Sequence, residues 1–183
     1  IAGCNNSISA DKWYQYFKSL FEQFIGNQYS TDYESGIVNE NYTPTDVLND
    51  TITNDEVTQA VHKLKINKSA GHDGLISEFF KYGIDILKPS LTKLFNFIFS
   101  QGKFPAQWRE AIIITLHKKG DKGDPNNYRG ISLLSVFAKI FTSILNTRLM
   151  NWSENARKLS ESQAGFRKNY RTVDNVFVLH GVI

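Results

Sequence analysis

The segment Ala111-Ile112-Ile113-Ile114-Thr115-Leu116-His117 constrains the fold of this 183-residue chain more than any other. It contains the longest strongly apolar run. Its β-branched side chains crowd a helical turn but fit a pleated sheet, so a buried strand is expected here. A helix that crosses a bilayer needs about 20 apolar residues, and this run is far shorter. Residues 118–127 then bring two Gly, two Asp and one Pro, the composition of a turn. Residues 128–134 read as the returning strand. A hairpin-like pair set between helical patterns makes the expected fold class α+β, helix-rich with a short β-hairpin.

The helical patterns are marked by spacing. Trp13, Phe17, Leu20, Phe21 and Phe24 recur along one face of an expected amphipathic helix at 11–26. Residues 26–50 are polar and acidic and read as a linker. Thr53-Asn54-Asp55-Glu56 is a capping box, in which hydroxyl and carboxylate satisfy each other's backbone donors. Val57, Ala60, Val61 and Leu64 follow on one face. After a loop at 65–74, a short helix is expected through Glu78, Phe79 and Phe80. A separate longer one runs from Ile84 to Phe99 and is closed by Gly102. Val136, Ile140, Ile144, Leu145 and Leu149 mark another helix at 135–152, and a last apolar pattern begins at Val173.

Several chemistries are excluded by what is missing. Cys4 is the single cysteine, which rules out an internal disulfide and a multi-cysteine zinc site. His62, His72, His117 and His180 are scattered, without metal-ligand spacing. There is no Gly-x-Ser-x-Gly elbow, and Gly71-His72-Asp73-Gly74 lacks the Lys-Ser/Thr that completes a Walker loop. Charge is the positive signal. Residues 1–60 hold 2 basic and 9 acidic side chains, net −7, whereas residues 61–183 hold 19 basic and 9 acidic, net +10. A segment that positive favours polyanion partners through counterion release. A solvated surface is the plainer reading of the same charge.

Three basic constellations stand out. Lys118-Lys119-Gly120 closes the apolar strand, and Arg129 lies across the turn from it. The third, Gln163-Ala164-Gly165-Phe166-Arg167-Lys168-Asn169-Tyr170-Arg171, combines three cations with two aromatics. Lysine supplies a point charge and arginine a bidentate fork, both suited to phosphate, and aromatics can stack bases. The same residues also fit a solvated hairpin tip and a helix entry with Phe166 in the core.

Taken in order, Leu64-Lys65-x-x-Lys68-Ser69-x-Gly71-x-Asp73-Gly74, Gly102-x-x-Pro105-x-x-Trp108, Leu116-x-Lys118-Lys119-Gly120, Asn127-Tyr128-Arg129-Gly130-Ile131-Ser132-Leu133-Leu134 and Gln163-x-Gly165-Phe166-Arg167 resemble the reverse transcriptases of non-LTR (LINE-type) retrotransposons. Trp13-x-x-Tyr16-Phe17-x-x-Leu20-Phe21 looks like the connector that precedes that polymerase. His72 and Gly130 stand where the family often has Pro.

The resemblance implies an incomplete right-hand polymerase: a connector at 1–52, then fingers and the start of the palm at 53–183. It implies that Arg129, with Lys118 or Lys119 beside it, meets the triphosphate of an incoming dNTP. Lys68, Gln163, Arg167, Lys168 and Arg171 would line an RNA template or DNA primer. Mg²⁺ in the complete polymerase would be held by aspartates outside this chain, which has no Asp-Asp dipeptide; Asp121 and Asp124 fit a hairpin tip better than a metal site. Further expectations follow. The chain begins at Ile1, has Met150 as its single methionine and ends at Ile183 within a helical pattern, so it reads as a piece of a longer polypeptide, inactive alone. Its partners would include the rest of the palm and thumb, with no membrane. Its place would be nuclear or cytoplasmic rather than secreted. The alternative is a non-catalytic RNA- or DNA-binding relic of such an element.

Overall fold

Thr53 sets the start of the best-defined helix: its hydroxyl accepts from the Glu56 N–H at 3.2 Å, and the Glu56 carboxylate accepts from the Thr53 N–H at 2.9 Å. Two otherwise orphaned donors are satisfied, so the helix begins where the sequence says. This is seen in a computed structural model that describes residues 8–25, 46–160, 163–167 and 169–182. The elements are α1 (Ala10–Ile25), α2 (Asp46–Asn49), α3 (Asn54–Lys63), α4 (Ser77–Gln101), β1 (Ile112–His117), β2 (Tyr128–Leu133), α5 (Val136–Asn155) and α6 (Thr172–Val182). Short 3₁₀ turns at Ala106–Arg109 and Pro125–Asn127 flank the strand pair. The chain is therefore helix-rich with one two-stranded antiparallel sheet, as an α+β class requires.

The core lies among α3, α4 and α5. Val57, Val61, Phe95, Val136 and Ile140 are almost fully buried there. Each such side chain is worth about 1.5–3 kcal/mol of burial. Trp108 closes one end of this core, its ring stacked on Phe137 (5.9 Å between centroids, 7° between planes) and edge-on to Phe95 and Phe104. The Gly-x-x-Pro-x-x-Trp pattern thus has a packing role: Gly102 ends α4 in the left-handed conformation, φ 61°, and the turn after it delivers Trp108 inward.

Two elements differ from what the sequence pattern suggests. The short helix at 78–80 and the longer one from 84 form a single 25-residue helix, α4, which continues through Pro89. An interior proline costs about 3 kcal/mol. Phe80, Ile84, Leu91, Phe95 and Ile98 keep one continuous buried face across it, and that packing outweighs the lost hydrogen bond. The apolar strand β1 is not buried: Ile112, Ile114 and Leu116 are 44%, 44% and 55% exposed. Its residues belong to no part of the helical core. A two-stranded sheet offers two faces, and among the described residues only one of them is covered.

The expected linker at 26–50 lies outside the described residues except for its last five positions, four of which form α2. Phe166, considered as a core residue, is fully exposed on a left-handed backbone with φ 63°, and the buried side chain at that point is Arg167. In α6, Val173, Val176 and Phe177 are exposed. No helix among the described residues is long and apolar enough to cross a membrane.

Candidate functional site

The strand pair carries the first basic constellation. Its register sets Ile112 opposite Leu133, Ile114 opposite Ile131, and Leu116 opposite Arg129. Directly paired residues share a face, so these six side chains form one side of the sheet. Lys118, two positions beyond Leu116, continues that side, and its N–H still donates to the Asn127 carbonyl at 2.8 Å. Arg129 and Lys118 therefore sit at the same end of the same face, beyond an apolar floor. Lys119 stands next to them in the turn. All three are exposed, and among the described residues none is paired with a carboxylate.

The turn that joins the strands builds itself. Asp121 Oδ1 accepts from the Gly123 N–H at 2.9 Å, and Asp124 Oδ1 accepts from the Asn126 N–H at 3.0 Å. Asn127 Nδ2 donates to the Asp121 carbonyl at 2.9 Å, and Tyr128 donates its hydroxyl proton to the Lys122 carbonyl at 3.0 Å. Both aspartates are thus occupied as turn formers. The flanking lysines gain a fixed base without losing their exposure. Among the described residues no group of three or more His, Cys, Asp or Glu side chains converges. The described residues do not form a divalent-ion centre.

Lys68 belongs to the opposite end of the strand pair. A Cβ on Gly71 would meet the Leu134 carbonyl carbon at 2.7 Å and the Ser135 nitrogen at 2.8 Å, so the bare glycine lets the 65–74 loop lie on the backbone leaving β2. Leu134, just past the end of β2, lies five positions from Arg129, about 16 Å along an extended chain. Lys68 is exposed in that loop.

The third constellation is divided. Gln163 and Arg171 are exposed; Gln163 Nε2 donates to the Gly165 carbonyl at 3.1 Å, and the Arg171 N–H donates to Asp174 at 2.8 Å. Arg167 is buried. Its Nε and Nη2 reach the two oxygens of Glu154 at 2.9 and 2.8 Å, Nη1 reaches the Ser160 carbonyl at 2.9 Å, and the guanidinium lies 4.1 Å from the Tyr170 ring centre. That bidentate bond holds the Glu154 carboxyl below its ordinary pKa. Arg167 thereby fixes the loop to the end of α5 rather than presenting a bare charge. Lys168 lies outside the described residues.

Sequence reasoning missed a second internal arginine, Arg148, whose guanidinium ties α5 to the entry of α3. The signal was available: Ile140, Ile144 and Arg148 follow one another at spacings of four, which places a cation on the buried face.

Comparison with known proteins gives the same direction as these residues. No protein-family model matches the chain. The 149 kDa protein of transposon TX1 from Xenopus laevis is 35% identical over 132 residues, 72% of this chain. The RNA-directed DNA polymerase of the mobile element jockey from Drosophila melanogaster is 31% identical over 133 residues, also 72% of the chain. A polymerase described as probable, from transposon BS of the same fly, is 32% identical over 123 residues, 67% of the chain. The chain belongs to the non-LTR retrotransposon RNA-directed DNA polymerases. It spans 10% of the length of the TX1 protein and 14% of the two fly polymerases.

Proposed function

We propose that the chain contributes the fingers and the opening of the palm to a right-hand RNA-directed DNA polymerase, with residues 1–52 as the connector before it. The observation that carries this reading is the shared placement of Arg129 and Lys118 at one end of an open sheet face. A triphosphate bears several charges on a compact group, and convergent cations in a fixed frame bind it without reorganisation. Arg129 supplies the bidentate fork, Lys118 the point charge beside it, and Lys119 a further cation at the turn.

Template RNA and primer DNA are contacted by Lys68, Gln163, Lys168 and Arg171, while Arg167 holds the loop that carries three of them. Such contacts position a backbone and read no sequence. Divalent ions supply the nucleotidyl transfer chemistry of the complete polymerase; this chain's residues bind and orient. The relatives named as polymerases favour this reading over a binding relic.

The test is primer extension with Mg²⁺ by this chain and by the same chain continued through its parent reading frame. Extension by the longer polypeptide alone is expected. In that polypeptide, Arg129→Ala is expected to lower nucleotide incorporation while primer–template affinity stays within about twofold. Equal incorporation by Arg129→Ala and the unaltered polypeptide overturns the assignment of Arg129.

A further inference from the structure

The face of the sheet opposite Arg129 is covered by α1. Gly130 is the contact point: a Cβ there would stand 2.9 Å from Phe17 Cε1, 3.3 Å from Phe17 Cζ and 3.3 Å from Ile113 Cγ2. Trp13 packs edge-on to Tyr128 with ring centres 5.0 Å apart, and it stacks on Phe17 at 5.8 Å. Lys12 donates its ammonium to the Gly123 carbonyl in the turn at 2.8 Å. Helix α1 therefore touches the two residues that flank Arg129 in sequence, Tyr128 and Gly130, and also the turn that follows Lys119.

An isolated two-stranded sheet is marginal in water and free to twist. This one contributes nothing to the helical core; among the described residues α1 supports it on one face, and the 65–74 loop meets the chain where it leaves β2. Arg129 alternates to the other face from Tyr128 and Gly130, which makes its position a direct consequence of where α1 holds those two neighbours.

We propose that α1 is a brace for the phosphate-binding strand pair, with Trp13 and Phe17 as positioning residues for Arg129. This rests on the reading above that Arg129 and Lys118 hold the nucleotide triphosphate. The glycine at 130 is then a fitted recess for the Phe17 ring. A side chain at either partner that spoils the fit moves the guanidinium without touching the nucleotide.

The experiment measures incorporation against dNTP concentration in the complete polymerase that contains this chain. Phe17→Ala and Gly130→Ala are each expected to raise KM for dNTP by about tenfold, a loss of about 1.4 kcal/mol of binding, with kcat and primer–template affinity within about twofold. In Gly130→Ala combined with Phe17→Leu, the shorter side chain removes the two ring atoms that would collide, and KM is expected to fall back toward the unaltered value. Lys12→Ala changes only an exposed contact to the turn and keeps the test open if Phe17→Ala fails to fold; its expected rise is about twofold. Arg129→Ala runs alongside. If it raises KM while Phe17→Ala, Gly130→Ala and Lys12→Ala do not, the brace is overturned and the phosphate site stands. If Arg129→Ala leaves KM unchanged, the phosphate reading itself fails. Absence of recovery in the double variant also overturns the brace.

Discussion

Arg148 and Glu56 stand 92 residues apart, and their side chains meet in a bidentate pair, Nε to Oε1 at 2.6 Å and Nη2 to Oε2 at 2.8 Å. Glu56 also completes the capping box with Thr53, and Arg148 donates in addition to the carbonyls of Asp50 and Thr51. One carboxylate thus starts α3 and fastens it to α5. The Arg148 side chain is only 9% exposed, so removing its partner leaves a charge with poor access to water.

Arg148→Ala is expected to destabilise the chain by about 2–3 kcal/mol, because it takes the charge partner from the Glu56 carboxylate, which keeps only its Thr53 donors, and the donor from two backbone carbonyls. Arg148→Lys is expected to recover less than half of that, since an ammonium cannot reproduce the planar fork. Urea denaturation followed by circular dichroism measures both.

The same pair sets an acid limit. Hydrogen bonding from Arg148 holds the Glu56 carboxyl below its ordinary range, and the pair raises the already high Arg148 value. A depressed carboxylate contributes its full stability above the unfolded-state value of about 4.3. The contribution is lost as pH falls through the lower folded-state value. Glu56→Gln is therefore expected to flatten the acid side of the stability profile, and unfolding midpoints measured between about pH 6 and pH 3 will show it.

Phe95 and Phe97 are near neighbours on α4 with opposite fates: Phe95 is fully buried against Trp108 and Phe141, and Phe97 is 64% exposed. Phe95→Ala is expected to cost about 3–5 kcal/mol through lost burial and the cavity left behind. Phe97→Ala is expected to stay within about 0.5 kcal/mol. Thermal melts of the two variants separate a core position from a surface one.

Gly71→Ala places a methyl group against the Leu134 and Ser135 backbone, where no flexible side-chain end can yield. The loop carrying Lys68 must then lift from the end of β2, at a cost of about 1–3 kcal/mol. Faster amide hydrogen exchange across residues 65–74, with α3 protection retained, is the expected signature.

Lys118 and Arg129 occupy one end of one sheet face, so their effects on nucleotide use are expected to be coupled. Each alanine substitution in the complete polymerase is expected to lower kcat/KM for dNTP by about tenfold. The double substitution is expected to fall short of the product of the two if, as proposed, both cations act on the same triphosphate. Steady-state kinetics on the four proteins of the cycle gives the coupling directly.

The sequence by itself determined whatever depends on neighbours a few residues away. The Thr53–Glu56 box, the Gly102 stop and the Asp121 and Asp124 turns are all closed by short-range hydrogen bonds, so their residues name them. The ordered basic motifs likewise pointed to the family. Tertiary structure decided what depends on partners far along the chain. It carried α4 through Pro89 by giving it a continuous buried face, and it left β1 open because the core closed among the helices without it. It turned Arg148 and Arg167 inward by supplying Glu56 and Glu154. It also set Phe17 against Gly130, 113 positions away, where the missing Cβ makes room for a ring. Local pattern fixes which side chains share a face; burial is the energy of what meets that face, and no short window of sequence contains it.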